Sequence, residues 1–114
     1  MKHLQMLLLD NNTLHGTLLN TITNLTQLTH LTFSANYIEG TIPASITNFA
    51  ILRRFNASHN LLSGTLPKEI KQLKYMSFFD VSFNQLNGTI PPFHRIPSAW
   101  MDLSGNNIIG FIPN

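Results

Sequence analysis

Apolar residues recur along this chain in a fixed frame around asparagine. Asn12 is followed at a spacing of 24 by Asn36, Asn60 and Asn84, and a fifth copy, Asn106, comes after 22. Five positions before these anchors stand Leu7, Leu31, Phe55, Phe79 and Met101, and three before stand Leu9, Phe33, Ala57, Val81 and Leu103. Apolar residues two apart with polar ones between predict a short half-buried strand ahead of each asparagine. Two positions after come Leu14, Ile38, Leu62, Leu86 and Ile108; four after, Gly16, Gly40, Gly64, Gly88 and Gly110; six after, Leu18, Ile42, Leu66, Ile90 and Ile112. Pro43, Pro67, Pro91 and Pro113 close the frame, with Leu19 in that place in the first copy. Five such copies in register are a repeat. One copy cannot bury its own apolar face, so neighbours must stack on it as a solenoid.

Each column has a physical reading. The chain must turn after the strand, and an asparagine amide, with donors and an acceptor, satisfies the backbone groups that the turn leaves open. Asn12, Asn36, Asn60, Asn84 and Asn106 are therefore expected to form a ladder through the structure. The glycine column predicts a position that excludes a side chain or needs positive φ. The proline column fixes φ and removes a donor as the chain leaves a second extended segment. Ala44–Ile51 and Lys68–Tyr75 predict short helical turns on the convex side. The fold class is thus an α/β repeat solenoid. One domain, 1–114, holds about five units (4–27, 28–51, 52–75, 76–97 and 98–114) around a parallel concave sheet with short helical or irregular convex segments. Residues 91–97 break the pattern: His94 and Pro97 stand where Ile70 and Leu73 stand one repeat earlier. Proline there disfavours helix and predicts a shortened, irregular crossover, read as a tolerated deletion on the convex side.

Composition narrows the function. Charged residues make up 11% and the net charge is +2, with basic residues scattered, so the dense basic stripe that nucleic acid requires is absent. The chain has no cysteine, which excludes disulfides and thiolate metal sites. No apolar run approaches the roughly 20 residues of a membrane helix. His3, His15, His30, His59 and His94 are dispersed over different columns and do not make a metal constellation. A single flat sheet offers no sequestered pocket for a catalytic triad. The expectation is a binding scaffold without cofactor, not an enzyme.

The segments Phe33-Ser-Ala-Asn-Tyr-Ile-Glu-Gly-Thr-Ile-Pro43, Ala57-Ser-His-Asn-Leu-Leu-Ser-Gly-Thr-Leu-Pro67 and Val81-Ser-Phe-Asn-Gln-Leu-Asn-Gly-Thr-Ile-Pro91 resemble the plant-specific class of leucine-rich repeat. The resemblance runs from about residue 4 to the last residue and is carried by the Gly-x-Ile-Pro portion. It implies a part of the extracellular ligand-binding region of a plant receptor-like kinase or receptor-like protein in signalling. The location implied is the outer side of the plasma membrane or the apoplast, with any membrane attachment through a transmembrane segment of a parent protein. The implied partners are a peptide or protein ligand and a co-receptor. Two alternatives are a secreted inhibitor of wall-degrading enzymes on the same scaffold and a truncated product without independent function. The class usually carries cysteine-paired caps, which this chain lacks, so both ends are expected to expose apolar edges, as a piece of a longer protein would.

Alternation turns the remaining strand positions outward on the concave face. The ligand-binding candidates there are His30, Tyr37, Arg54, His59, Phe78, Asp80, Phe83, Trp100 and Asp102. Phe78, Phe83 and Trp100 are expected to cluster on repeats four and five, with the basic residues His30, Arg54 and His59 towards the other end, a cradle suited to an extended peptide. Asp80 and Asp102 stack on adjacent strands and repel, a tension that a bound cation relieves, although an ordinary solvated pair is the plainer reading. The serine two before the later asparagines (Ser34, Ser58, Ser82 and Ser104, with Asp10 in the first copy) is read as structural. Four sequons make Asn11, Asn24, Asn56 and Asn87 glycosylation candidates if the protein is secreted. Of these, Asn24 is expected on the convex side, and Asn11 and Asn56 on the concave one.

Overall fold

A computed structural model describes residues 3–90 and 100–109. Each repeat contributes a strand before its asparagine, and all but the last a second strand after it. The first repeat holds β1 (Met6–Leu8), β2 (His15–Gly16) and a single helical turn, α1 (Leu18–Thr21); the second holds β3 (His30–Thr32) and β4 (Tyr37–Gly40). The third holds β5 (Arg54–Asn56) and β6 (Leu61–Thr65), the fourth β7 (Phe78–Asp80) and β8 (Gln85–Asn87), and the fifth β9 (Trp100–Asp102). The odd-numbered strands form a five-stranded parallel sheet in the order β1-β3-β5-β7-β9, and the even ones a second, four-stranded sheet in the order β2-β4-β6-β8. The sequence predicts one sheet and a further extended segment; those segments also pair, because the residues after each turn repeat at the same 24-residue period.

Register is set by the repeat frame. Leu7, Leu31, Phe55, Phe79 and Met101 follow one another across the first sheet. The two-residue deletion before the fifth anchor leaves this register intact, since Phe78 still pairs with Trp100. Inward side chains make one core in which Phe33, Phe55 and Phe79 are fully buried. Phe33 meets Phe55 edge-on at 5.8 Å between ring centroids, and Phe55 stacks on Phe79 at 5.3 Å, arrangements that aromatic quadrupoles favour.

The convex segments are 3-10 helices, Ala44–Asn48 and Lys68–Gln72. Their apolar residues are spaced by three: Ile46, Phe49 and Leu52, then Ile70, Leu73 and Met76, all buried. A three-residue turn eclipses side chains at i and i+3, so this spacing places every apolar group on the core side. Each turn closes on the last, as Ile46 N–H donates to Pro43 C=O at 3.0 Å and Phe49 N–H to Ile46 C=O at 3.1 Å. The predicted irregular crossover over 91–97 lies outside the described residues, as do Gly110, Ile112 and Pro113.

The asparagine ladder has the expected chemistry. Asn60 Nδ2 donates to the carbonyls of Phe33 (2.9 Å), Ala57 (3.2 Å) and Ser58 (3.1 Å), and its Oδ1 accepts from Ile38 N–H at 2.9 Å. Asn36, Asn84 and Asn106 repeat the pattern, each reaching back to the preceding repeat. Asn12 is exposed and donates only within its own repeat, to Leu9 and Asp10 carbonyls. The glycine column answers a packing demand. A Cβ on Gly88 would stand 2.6 Å from Thr65 Cγ2, and Gly88 has φ +80°. Thr17, Thr41 and Thr65 thus lay their methyls over Gly40, Gly64 and Gly88 of the next repeat.

Candidate recognition surface

The outward face of the first sheet carries rows of side chains that the fold places in register. Row one is Met6, His30, Arg54, Phe78 and Trp100. Parallel strands lie roughly 4.8 Å apart, close to ring-stacking distance, so flat groups in one row stack on each other. Arg54 lies with Cζ 3.9 Å from the Phe78 centroid, a cation–π contact. Phe78 in turn stacks on Trp100 at 4.6 Å with 13° between planes. Trp100 remains 52% exposed.

A second stack forms at the turn just before each asparagine. There Asn11, Ala35, His59 and Phe83 hold φ between 55° and 58°, and Gly105 has φ 69°. This left-handed backbone is unfavourable for residues with a Cβ, and the following asparagine amide, tied to the carbonyls around it, imposes it. His59 stacks on Phe83 at 4.6 Å and 12°. The far side of Phe83 lies against Gly105, where a Cβ would stand 2.6 Å from the ring. Phe83 is 53% exposed.

These contacts revise the expected arrangement. Phe83 pairs with His59 instead of joining Phe78 and Trp100, so the aromatics form two stacks. The basic residues His30, Arg54 and His59 lie on repeats two and three and the rings on repeats four and five, as expected, and the two groups meet where Arg54 packs on Phe78 and His59 on Phe83. Tyr37 opens β4 of the second sheet, which separates it from the other candidates. His30 sits half-buried in row one, its Nδ1 2.9 Å from Thr29 Oγ1.

Between the two stacks runs the row Asn56, Asp80, Asp102. Asp80 Oδ1 accepts Ser82 N–H at 2.9 Å and Ser82 O–H at 2.7 Å. Asp102 does the same with Ser104. The Ser104 hydroxyl, and then its N–H, hold the Asp102 carboxyl below the usual carboxylate range, as bonding to the charged form does. Asn56 accepts from Ser58 in the same way at 3.0 and 2.8 Å. The serine column is thus structural, as expected. Thr32 lacks such an acceptor, and Asp10 of the first repeat substitutes for it, taking Ser34 N–H at 2.7 Å and Thr32 O–H at 3.0 Å. Sequence reasoning missed this role of Asp10; its place two before Asn12, where other repeats carry serine, was the available signal.

Among the sequon asparagines, Asn24 and Asn87 are exposed, Asn11 is exposed in a left-handed turn, and Asn56 is half-buried with its Oδ1 engaged. A shallow pocket of about 220 Å³ lies away from both stacks, between Leu14, His15, Thr17, Leu18, Thr21 and Ile38. Among the described residues no helix is long and apolar enough to cross a membrane.

Parallel strands stacked one per repeat, an asparagine ladder and a varied outward face define a solenoid recognition scaffold. The fold is that of a leucine-rich repeat solenoid: the Leucine Rich Repeat family model matches residues 27–49 and 52–73, and solved leucine-rich-repeat structures align with nearly all of the chain. The ectodomain of the plant membrane receptor kinase GASSHO1/SCHENGEN3 from Arabidopsis thaliana, solved with CASPARIAN STRIP INTEGRITY FACTOR 2, is 34% identical with a TM-score of 0.88, over 92% of this chain and 13% of that one. The plant peptide hormone receptor RGFR1, solved with RGF2, is 35% identical with a TM-score of 0.88, over 98% of this chain and 18% of the receptor. A plant ice-binding protein is 27% identical with a TM-score of 0.91, over 96% of this chain and 36% of its own. The chain thus spans less than a fifth of either receptor. No curated protein matches it by sequence. The matched family is a repeat scaffold and not a catalytic domain.

Proposed function

We propose that the outward face of the first sheet binds an extended peptide or protein segment, as part of the extracellular ligand-binding region of a plant receptor-like kinase or receptor-like protein. The observation that carries this reading is the pair of stacks, Arg54–Phe78–Trp100 and His59–Phe83. Core packing does not require them, because the inward side chains of the same strands already fill the core. Rigid aromatic and arginine groups on an exposed face are the residues that dominate binding energy. Two similar ectodomains were solved with CASPARIAN STRIP INTEGRITY FACTOR 2 and RGF2, which supports the same use here, with a co-receptor as a further partner. Five strands give a strip of roughly 20–25 Å, room for about six or seven extended residues.

The test is selection of displayed random heptapeptides on the full chain, followed by titration of the selected peptides on the Phe78→Ala/Trp100→Ala double variant. The expected result is loss of binding by more than about tenfold with an unchanged circular dichroism spectrum. Equal binding to the variant would sink the proposal. Secretion in a plant host adds a second check: Asn24 and Asn87, both exposed, are the sequons expected to carry glycans by mass spectrometry, whereas Asn56 is held by Ser58.

A further inference from the structure

Charge is divided between the faces of this molecule. Among the described residues the lysines and arginines are Arg53, Arg54, Lys68, Lys71 and Lys74. Arg54 stands on the first sheet with Asp80 and Asp102, and the other four gather at the convex segment of the third repeat. That segment sorts its side chains by threes. Ile70, Leu73 and Met76 are buried. Turns close on them in succession: Leu73 N–H donates to Ile70 C=O at 3.0 Å and Met76 N–H to Leu73 C=O at 3.2 Å. Lys68, Lys71 and Lys74 keep the same spacing two residues earlier, and all three are exposed. Three-residue turns eclipse side chains at i and i+3 and rise about 2.0 Å per residue, so the lysines form one ridge with a step of ~6 Å. Past Lys74, Arg53 Cζ lies 5.7 Å from the centroid of the Tyr75 ring, which brings a fourth positive charge to the end of the row. Glu69 is the one acid within the segment and is half-buried.

The fold does not ask for this ridge. The same positions hold Ala44, Thr47 and Ala50 in the second repeat and Asn20, Thr23 and Thr26 in the first. The second repeat makes the same 3-10 turns with no charge on them. Lysines in one row repel one another, a small cost that an anionic ligand reverses. We propose that Lys68, Lys71 and Lys74, with Arg53 at the end of the row, dock an acidic peptide segment in extended form, with carboxylates at alternate positions. This surface is separate from the concave face, and its use does not depend on the reading given for that face. Charge complementarity and spacing select the occupant. Same-side residues of an extended chain recur every ~7 Å, close to the step of the ridge, so three alternate carboxylates meet three lysines in turn. The positive row is one residue wide. The 3-10 segment packed beside it offers only Ala44, Thr47 and Ala50 at the matching positions. A linear ligand suits a single row, whereas a flat anionic membrane surface calls for a broader basic patch.

The probes are three capped peptides: acetyl-Glu-Ser-Glu-Ser-Glu-amide, its counterpart with glutamine for glutamate, and acetyl-Glu-Glu-Glu-Ser-Ser-amide, which has the same charge without the spacing. Each is titrated into the full chain while backbone-amide chemical shifts are followed. The alternating acidic peptide should give saturable shifts at residues 68–75, bind more tightly than the other two, and weaken as salt is added. The Lys68→Gln/Lys71→Gln/Lys74→Gln variant keeps most of each aliphatic stem and changes exposed positions alone, so its circular dichroism should match that of the parent. It should bind the alternating peptide about tenfold more weakly, the combined size of three exposed ion pairs. Equal affinity for the acidic and glutamine peptides, or for the two proteins, overturns the proposal. So does equal affinity for the two acidic peptides, which would leave the spacing without a role. Tighter binding of an oligogalacturonate, or of vesicles containing phosphatidylserine, than of the alternating peptide would assign the ridge to another anion and overturn the peptide reading as well.

Discussion

The two sheets of this solenoid are built from one repeat and differ in what they present. At the end of the second-sheet strands, the residue after the glycine is threonine four times, Thr17, Thr41, Thr65 and Thr89, all exposed. Its sameness has a structural cause, since the threonine methyl fills the space over the glycine of the following repeat. The outward row of the first sheet runs Met6, His30, Arg54, Phe78, Trp100. No packing rule of the fold asks for that series, and three of its members, Arg54, Phe78 and Trp100, stack on one another along the row. Where the fold dictates a residue, the column is uniform; where it does not, the column is varied, and the varied column is the one proposed for recognition.

Breaking a uniform column should damage the fold. Asn60→Ala removes an amide bonded to three carbonyls and leaves Ile38 N–H without its acceptor. A loss of about 3 kcal/mol in urea denaturation is expected from the orphaned buried donor and the cavity. Asn12→Ala, at the exposed end of the ladder, should cost less than about 1 kcal/mol, and similar losses at the two sites would refute the ladder's role. Gly88→Ala comes next. Its φ of +80° and the 2.6 Å approach of Thr65 Cγ2 predict about 2 kcal/mol of destabilisation. Pairing it with Thr65→Ser, which removes the methyl, should recover the steric part and leave the backbone part.

Breaking the varied column should spare the fold. Phe78→Ala/Trp100→Ala removes outward rings from strands whose inward residues stay packed, and the expected stability change is about 1 kcal/mol or less, against a large loss of peptide binding. A collapse of the fold in this variant would erase the contrast between the sheets. The smallest effect is a pH dependence. The Asp102 carboxyl is lowered in the folded protein from an ordinary value of 3.8 by Ser104. Its contribution is therefore fully present above that value and is lost as pH falls through the lower folded one. Asp102→Asn should flatten the acid limb of the melting-temperature profile slightly, and an unchanged limb would show that the Ser104 bonds do not persist in solution.

Most of the fold could be read from the chain because it is one-dimensional: every contact is a neighbour contact, and the 24-residue period states which residues are neighbours. The core columns, the asparagine ladder and the structural serines follow from that period. The convex turns were also readable, and their spacing of three, Ile46, Phe49, Leu52, carried the 3-10 geometry within it. The pairing of the second strands was harder, since Tyr37 and Leu61 look like further outward positions until the turn at the asparagine assigns them to another sheet. The site was legible by membership more than by contact. Spacing places Phe78 above Trp100, but it does not tell which way Phe83 points, because its left-handed backbone departs from strand alternation. That departure sends its ring to His59 and Gly105, and turns an expected aromatic cluster into two separate stacks.

The most direct test of the contrast between the sheets is a backbone-amide chemical-shift map of the full chain with a selected heptapeptide added. The account predicts shifts concentrated at residues 54–59, 78–83 and 100–105, on the outward face of the first sheet, with the threonine row of the second sheet and the 3-10 segments unmoved. Shifts centred on Thr17, Thr41 and Thr65, with Phe78, Phe83 and Trp100 unaffected, would contradict it.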